Sequence, residues 1–280
     1  MTKKKRVLTR CLGYPLAIYV GILLVFFFFE KSLVYKPTPS RDTYDMSVLP
    51  GVFCQELWLD SKDGTRVHAY FFSPDKELAT NKPVVLYCHG NAGNISHRLI
   101  RLNAFAQAGI PILIMDYRGF GLTKGSPHEQ GTYDDAAAGY QWLQTQGWES
   151  NQIIAHGTSL GGGIASWIQE QYQCGALVLE STFTSIPGVS KSLFPYLPTF
   201  IIRTQYPTLA RVKKSTAPLL VIHGDEDEII PFHMGKELYS SSISVQKSFY
   251  HVKGAGHDDI MDLTGSEYFS DYKKLLEILK

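Results

Sequence analysis

The stretch Ile153-Ile154-Ala155-His156-Gly157-Thr158-Ser159-Leu160-Gly161-Gly162-Gly163 decides the fold of this chain. An apolar run leads into a G-x-S-x-G pentad, and a helix-like pattern of apolar residues begins at Ile164. This order is typical of a nucleophile elbow, a sharp turn between a strand and a helix that exposes one strained serine. Gly157 and Gly161 flank the serine, where a side chain would collide with the neighbouring helix or strand. The alternative is a glycine-rich connector in which Ser159 has no chemical role.

Short, fully apolar runs alternate with helix-like segments along most of the chain. Runs of this kind predict an α/β fold, in which helices cover both faces of a parallel sheet. Two alternating segments, Glu56–Asp60 and Thr65–Phe72, predict an antiparallel hairpin that turns at Asp63 and Gly64. The predicted strands that follow are Val84–Cys88, Ile110–Met115, the run that begins at Ile153, Ala176–Leu179, Leu219–Ile222 and Lys247–Val252.

Helices are predicted between these strands from apolar residues at spacings of three and four. One runs from Leu99 to Ala106, and Gly109 is a natural stop for it. Another is expected to open at Thr132, where Asp135 three residues later resembles a capping box. The last helix carries its apolar residues on one face, at Tyr268, Tyr272, Leu275, Leu276 and Leu279.

The segment from Phe183 to Thr216 interrupts this alternation. It is rich in aromatic residues and proline, and it has no clean strand pattern. We interpret residues of about 184–216 as a small cap above the strand ends; a plain helix packed on the sheet is the alternative. An apolar cap would suit a substrate with an acyl or other apolar group.

The N-terminal region differs from the rest of the chain. An uncharged stretch from Cys11 to Phe29 would form roughly 28 Å of helix, close to the ~30 Å hydrocarbon core of a bilayer. A cleavable signal peptide is one alternative, but no small-x-small cleavage site follows Phe29. A buried core helix is the other, and the lack of a polar face disfavours it. We therefore predict a membrane anchor over residues 1–34 and a folded domain over residues 35–280, joined by a proline-containing linker from Lys36 to Gly51.

Charge and composition narrow the class of protein. Five lysine and arginine residues precede the apolar stretch and three follow it, which predicts a cytoplasmic N-terminus and a domain on the non-cytoplasmic side. The net charge of +1, without a basic cluster interleaved with aromatics, excludes nucleic acid as an expected partner. Four cysteines without C-x-x-C spacing predict neither a disulfide framework nor a zinc site.

Ser159 needs a neighbouring base, because a serine hydroxyl is a weak nucleophile until its proton is accepted. Nine histidines compete for this role. His257 follows Gly254-Ala255-Gly256 in a loop between the last strand and the last helix, and we predict it as the base. Three histidines that end strands beside glycine are expected to be structural, with ring nitrogens bonded to the backbone: His89, His156 and His223.

The base in turn needs a group that orients its ring. A strand ends at Gly224, and four acidic residues follow it. Asp227, three residues past this glycine and four before Pro231, is the predicted orienting acid, with Asp225 as the fallback. The order Ser, Asp, His along the chain is the one expected for such a triad on a sheet of this kind.

A negative charge that develops on a substrate oxygen needs hydrogen-bond donors already aimed at it. We predict the backbone N–H of Leu160, at the N-terminus of its helix, as one donor. The loop after the Val84–Cys88 strand should provide the other through the backbone N–H of Asn91, with Ala92 as the alternative. The segment Asp116-Tyr117-Arg118-Gly119 also follows a strand, and it forms either a pocket wall or a structural turn held by an aspartate–backbone hydrogen bond.

Five motifs in order resemble those of the α/β-hydrolase superfamily, and of its small, membrane-anchored serine hydrolases in particular. They are H-G-N-A-G from His89, D-Y-R-G-F-G from Asp116, G-T-S-L-G-G from Gly157, H-G-D-E-D-E-I-I-P from His223 and G-A-G-H from Gly254. The resemblance covers roughly Tyr35 to the C-terminus. It implies an α/β-hydrolase fold with a mostly parallel sheet and a short cap, a Ser–Asp–His mechanism and no cofactor. Because the superfamily includes lipid hydrolases, depalmitoylases and serine peptidases, the substrate does not carry over.

We therefore expect an enzyme that cleaves carboxylic esters or thioesters, with a small-molecule or lipid-like acyl substrate and a membrane as its partners. A serine aminopeptidase-like enzyme on the same fold is the first alternative, and it would need a pocket for a charged amine. A non-catalytic membrane scaffold is the second, and the intact set of Ser159, Asp227 and His257 disfavours it.

Overall fold

The computed structural model describes residues 3–40, 44, 51–74, 80 and 82–279, with side chains from residue 14 onward. Residues 41–43 and 45–50, which make up most of the predicted linker, lie outside the described residues. The side chains of the basic residues that precede the apolar stretch lie outside them too.

Strands form the centre of the main domain. Eight of them make one sheet, and the other two pair separately in parallel. The strands in the described part of the chain are β1 (Lys36–Pro37), β2 (Phe53–Asp60), β3 (Arg66–Ser73), β4 (Val84–Cys88), β5 (Ala92–Gly93), β6 (Ile112–Met115), β7 (Ile153–Thr158), β8 (Ala176–Glu180), β9 (Leu219–Gly224) and β10 (Lys247–Val252).

The order of the main sheet is β10-β9-β8-β7-β4-β6-β3-β2. Strand β3 runs antiparallel to both of its neighbours, β2 and β6, and all other neighbouring strands are parallel. The mostly parallel sheet and the hairpin are therefore confirmed. The parallel strands direct their carboxyl ends to one edge, which is where sites form in sheets of this kind.

The central strands read as nearly continuous apolar runs because both faces of the sheet are covered. Every residue of β4, β6, β8 and β9 is buried. Successive residues of β9 show the two cores that result. Leu219 and Val221 belong to one apolar cluster, and Leu220 and Ile222 belong to the other.

Helices supply the rest of both cores. Side chains of α3, α4 and α7 belong to one cluster, and side chains of α2 and α9 belong to the other. The α-helices of the described residues are α1 (Lys3–Val34), α2 (Leu99–Gln107), α3 (Glu129–Thr145), α4 (Leu160–Tyr172), α5 (Ile186–Leu193), α6 (Thr208–Val212), α7 (Phe232–Ser241), α8 (Ile260–Thr264) and α9 (Phe269–Ile278).

The start of α3 differs from the prediction. The helix begins at Glu129, so the predicted capping box at Thr132 is wrong. Thr132 lies inside the first turn, where its hydroxyl donates to the Glu129 carbonyl at 2.8 Å and bonds with the Tyr206 hydroxyl at 2.7 Å. Because the Thr132 hydroxyl makes these two bonds inside the helix, it does not cap the N-terminus of the helix.

The region between β8 and β9 consists of the short helices α5 and α6 with a 3-10 turn, Thr199–Ile201, between them. Its middle part contacts α1, whereas α6 packs against α4 and α7. The rings of Phe26 and Phe194 meet edge to face at 5.2 Å, and the Tyr19 hydroxyl donates to the Tyr196 carbonyl at 2.7 Å. We call residues 184–216 the cap segment.

Candidate active site

Ser159 lies at the turn between β7 and α4, with backbone angles of φ 53° and ψ −121°. A non-glycine residue in a sparsely populated conformation costs of the order of 1–3 kcal/mol and persists where its surroundings impose it. Two hydrogen bonds hold the turn. The Ser159 amide donates to the Glu180 carbonyl at 2.9 Å, and the Thr182 hydroxyl donates to the Ser159 carbonyl at 2.6 Å.

The glycines of the pentad are required for steric reasons. A Cβ atom on Gly157 would collide with the backbone of Gly161, and a Cβ atom on Gly161 would collide with the carbonyl of Cys88. Helix α4 therefore starts too close to β4 and β7 for a side chain at either position. The close approach is what brings the serine to the strand ends.

The structure brings together the three side chains that the sequence singled out. The Ser159 Oγ lies 3.0 Å from Nε2 of His257, and Nδ1 of His257 lies 2.8 Å from Oδ2 of Asp227. A carboxylate only accepts hydrogen bonds, so Nδ1 carries the hydrogen and donates it to Asp227. Nε2 is then the acceptor for the Ser159 hydroxyl. This tautomer leaves the imidazole ready to take the serine proton.

Asp227 is buried and held as an acceptor. Its Oδ1 accepts the amides of Ile229 and Ile230 at 2.9 and 2.7 Å. Burial alone would raise the pKa of this carboxyl, but the hydrogen bonds from His223, His257 and the Ile230 amide together hold the pKa well below its usual range. The carboxylate is therefore negative at neutral pH and stabilises a positive charge on the neighbouring imidazole.

Asp225, the fallback for the orienting acid, is engaged elsewhere. One of its oxygens lies 2.9 Å from Nε2 of His251, and the other accepts the Gly254 amide at 2.6 Å. These contacts tie the end of β9 to the turn after β10. Among the acidic residues of the described chain, Asp227 is the one whose carboxylate bonds the His257 ring.

The two residues predicted to supply oxyanion donors both lie at the site. Leu160 and Asn91 both line the cavity that contains Ser159. The Asn91 loop is tied to the end of α1, because its side-chain amide donates to the Val34 carbonyl at 3.0 Å and its carbonyl accepts the Lys36 amide at 2.8 Å. The N-terminal helix therefore helps to position this loop.

The turn after β6 is structural. Asp116 is fully buried, and its carboxylate accepts the Ile95 amide at 3.0 Å and the Tyr44 hydroxyl at 2.7 Å. Arg118 bonds Asp135 on α3 at 2.7 Å. Of the two interpretations of this segment, the turn held by an aspartate–backbone hydrogen bond is the one observed.

Two of the three strand-end histidines bond to the backbone as expected. Nδ1 of His89 donates to the Gly90 carbonyl at 2.8 Å, and Nε2 of His223 donates to the Ile230 carbonyl at 3.0 Å. His156 differs, since its Nδ1 bonds the Tyr272 hydroxyl at 2.6 Å. Tyr272 lies on α9, 116 residues further along the chain, so the residues around His156 could not predict this partner.

Two cavities meet at Ser159. One, of about 360 Å³, is lined mostly by apolar side chains of α1 and the cap segment, together with Leu160 and Ile230; we call it the apolar cavity. The other, of about 700 Å³, has a larger share of polar lining than the first and also contains His257; we call it the polar cavity. Its charged lining residues are Lys36, Arg98, Arg101, Asp258 and Asp262. A substrate carbonyl at Ser159 would therefore have an apolar group on one side and a polar group on the other.

Glu30 is the residue of this region that sequence reasoning missed. It follows the phenylalanine run of α1, yet it is buried and lines the apolar cavity. Its carboxylate accepts the amides of Arg203 and Thr204, at 2.9 and 2.7 Å, and the Arg203 guanidinium at 2.9 Å. A lone carboxylate at the end of a long apolar run was the available signal, because a buried charge requires a partner.

The fold and the arrangement at Ser159 define the class of protein: the chain belongs to the α/β-hydrolase superfamily. The profile of the family described as serine aminopeptidase, S33, matches residues 79–200. An esterase of Pyrococcus furiosus superposes with a TM-score of 0.69 at 15% identity, covering 87% of this chain and 97% of the esterase. At this identity the likeness shows the fold alone.

Relatives by sequence extend the match to nearly the whole chain. An uncharacterized protein of Mycobacterium tuberculosis is 32% identical over 276 residues, 96% of each chain. The alpha/beta hydrolase domain-containing protein WAV2 of Arabidopsis thaliana is 29% identical and covers 95% of this chain and 92% of its own. The lysophosphatidylserine lipase ABHD12 of Xenopus tropicalis is 33% identical over 66% of this chain and 52% of its own.

Proposed function

We propose that this protein is a serine hydrolase that cleaves carboxylic esters or thioesters of acyl or lipid-like substrates. The observation that carries the proposal is the hydrogen-bonded series from Ser159 through His257 to Asp227, at the point where the apolar and polar cavities meet. Ser159 is the nucleophile, His257 is the general base and then the general acid, and Asp227 orients the imidazole.

The first half of the reaction forms an acyl-enzyme. Ser159 Oγ attacks the carbonyl carbon while its proton passes to Nε2 of His257. The amides of Leu160 and Asn91 stabilise the resulting oxyanion. The imidazolium then gives its proton to the leaving oxygen or sulfur, and the carbonyl re-forms on Ser159. In the second half, the same imidazole takes a proton from water as the water oxygen attacks the acyl carbon. The imidazolium then returns this proton to Ser159 Oγ as the bond between that oxygen and the acyl carbon breaks, which releases the carboxylic acid and restores the enzyme.

The two cavities suit the two parts of an acyl ester or thioester substrate. The apolar cavity is within the range of about 300–1,000 Å³ typical of small-molecule sites, and it suits the acyl chain. The polar cavity, with its mixture of cationic and acidic side chains, suits the alcohol or thiol part. The match to a lysophosphatidylserine lipase supports an acyl lipid as the substrate class.

We further propose that residues 1–34 are a membrane anchor and residues 35–280 a catalytic domain with the cap segment inserted in it. The apolar part of α1, Tyr14–Val34, is long enough to cross a bilayer. The charge bias predicts the catalytic domain on the non-cytoplasmic side. Protease protection of the full-length chain in sealed vesicles tests this orientation, and digestion from the cytoplasmic side would contradict it.

A fluorophosphonate probe tests the nucleophile. We expect the full-length protein to be labelled and the Ser159→Ala variant to remain unlabelled. The Ser181→Ala variant is the matched control, because Ser181 is buried one strand away, and it should label as the parent does. Labelling that persists in Ser159→Ala overturns the assignment.

The peptidase alternative has one feature in its favour. Asp258 and Asp262 line the polar cavity and offer partners for a charged amine. A series of p-nitrophenyl acyl esters run beside aminoacyl anilides separates the two functions. We expect kcat/KM to rise with acyl-chain length and the anilides to be poor substrates. Faster cleavage of the anilides would favour the peptidase.

A further inference from the structure

Helix α1 runs beside the cap segment over a long distance. Contacts occur at Tyr19, Phe26 and Glu30, which span about 16 Å of helix. Because hydrogen bonds fix both ends of this contact, at Tyr196 and Arg203, the cap segment lies at the same level as the apolar part of α1. Whatever surrounds this part of α1 also surrounds the adjacent cap.

The outward side of this part of the cap is apolar. Four large side chains are exposed there: Leu193, Phe194, Tyr196 and Phe200, of which Tyr196 and Phe200 are 86% and 85% exposed. The exposed side of α1 continues this surface, since many of its large apolar side chains are also at least 39% exposed. A soluble protein rarely leaves a continuous apolar surface of this kind uncovered.

Charged residues lie on either side of the apolar patch, by which we mean residues 193–202 of the cap segment. Residues 193–202 contain no charged side chain, whereas Lys191 precedes them and Arg203 follows them. A cation such as Lys191 at the margin of an apolar patch suits the phosphates of lipid headgroups above a hydrocarbon layer, whereas Arg203 already pairs with Glu30. The tyrosine and phenylalanine content of the patch is also typical of membrane interfaces.

We propose that α1 and residues 193–202 form one surface that inserts into the hydrocarbon layer of a lipid bilayer, with the apolar cavity opening inside that layer. Leu193 and Phe194 connect the two, because each is partly exposed on the patch and also lines the cavity. An acyl chain then reaches Ser159 from the bilayer without crossing water. The proposal rests on the anchoring role of α1 proposed above.

Tryptophan quenching by brominated lipid tests the insertion. The full-length chain is placed in phosphatidylcholine vesicles with or without bromine on the acyl chains, and the emission of the parent protein is subtracted. The Phe200→Trp variant reports on the patch, and Ile18→Trp reports on α1, at a position that is 64% exposed. Val245→Trp is the matched control. Val245 is 97% exposed and lies at the amino end of β10, whereas Ser159 follows the carboxyl end of β7.

We expect brominated lipid to lower the emission of Phe200→Trp and Ile18→Trp by roughly 1.5-fold or more and to leave Val245→Trp unchanged. Quenching of Ile18→Trp without quenching of Phe200→Trp would overturn the insertion of the cap and leave the anchor intact. That result would also be obtained if a second copy of the chain covered the patch. Absence of quenching in both variants would overturn the anchor and the insertion together.

Discussion

The carboxylate of Glu30 accepts hydrogen bonds from the backbone amide and the guanidinium of Arg203, each at 2.9 Å, although 173 residues separate the two along the chain. The bond joins the end of the N-terminal helix to the cap segment. Since Glu30 also lines the apolar cavity, the helix is part of the wall of the site. In this chain the predicted anchor and the predicted cap are therefore one structural unit.

Loss of the Glu30 charge should loosen the cap segment. Glutamine keeps the shape of the side chain but removes the charge-assisted bonds to the Arg203 and Thr204 amides, which weakens docking by about 1–2 kcal/mol. We expect tryptic cleavage after Arg203 to accelerate about 5- to 30-fold in Glu30→Gln. Asp271→Asn, which breaks the exposed ion pair with Lys274, is the control. An unchanged cleavage rate in Glu30→Gln would refute the coupling.

The two neighbouring aspartates should differ sharply in their effect on activity. Asp227→Asn removes the acceptor that fixes the His257 tautomer, so kcat should fall about 10³–10⁴-fold. Asp225→Asn should leave kcat within about 3-fold, because Asp225 bonds His251 and Gly254 instead. Ester hydrolysis rates of the two variants check this. Similar losses in both would contradict the assignment.

The close packing of the elbow predicts a steric effect. In Gly161→Ala the new methyl group meets the Cys88 carbonyl, so we expect a loss of about 3 kcal/mol or more in the free energy of unfolding. Gly21→Ala on α1 has open space at the Cβ position and should be tolerated. Denaturation midpoints of both variants in the same detergent give the comparison. Equal midpoints would show that the elbow can relax.

His89 should make stability depend on pH. Burial lowers the pKa of His89 to about 4, partly opposed by Asp116, whose Oδ1 lies 3.9 Å from Nε2. The unfolded chain has a histidine pKa of about 6.5 and binds the proton more readily. The free energy of unfolding should therefore fall as the pH drops from about 6.5 to about 4, by roughly 2–4 kcal/mol for this residue.

Denaturation across this pH range, with the parent and His89→Gln side by side, measures that contribution. The difference between the two proteins should shrink as the pH falls, because the variant has no imidazole to protonate. His233→Gln, at an exposed position on α7, is the control and should keep the slope of the parent. A difference that stays constant with pH would contradict the prediction.

Much of the fold was predictable from local pattern. Strand β4 has the bounds that its apolar run predicts, and β7 leads into α4 through Ser159 as the pentad predicts. The sequence predicts these elements because buried parallel strands must be apolar on both faces and because the elbow requires glycine two residues before and two residues after its serine. The start of α3 was misplaced, since Thr132 satisfies its hydroxyl inside the helix, partly through Tyr206.

By itself the sequence determined the class of fold, the serine at the turn and the candidates for its two partners, because each follows from the residues next to it. Only the tertiary structure shows that Asp227 bonds His257 and that Asp225 bonds His251, although the local sequences of the two aspartates are alike. The bonds between Glu30 and Arg203 are likewise visible only in the tertiary structure. Contacts between residues far apart in the chain depend on how the sheet places its loops, and no local spacing encodes that placement.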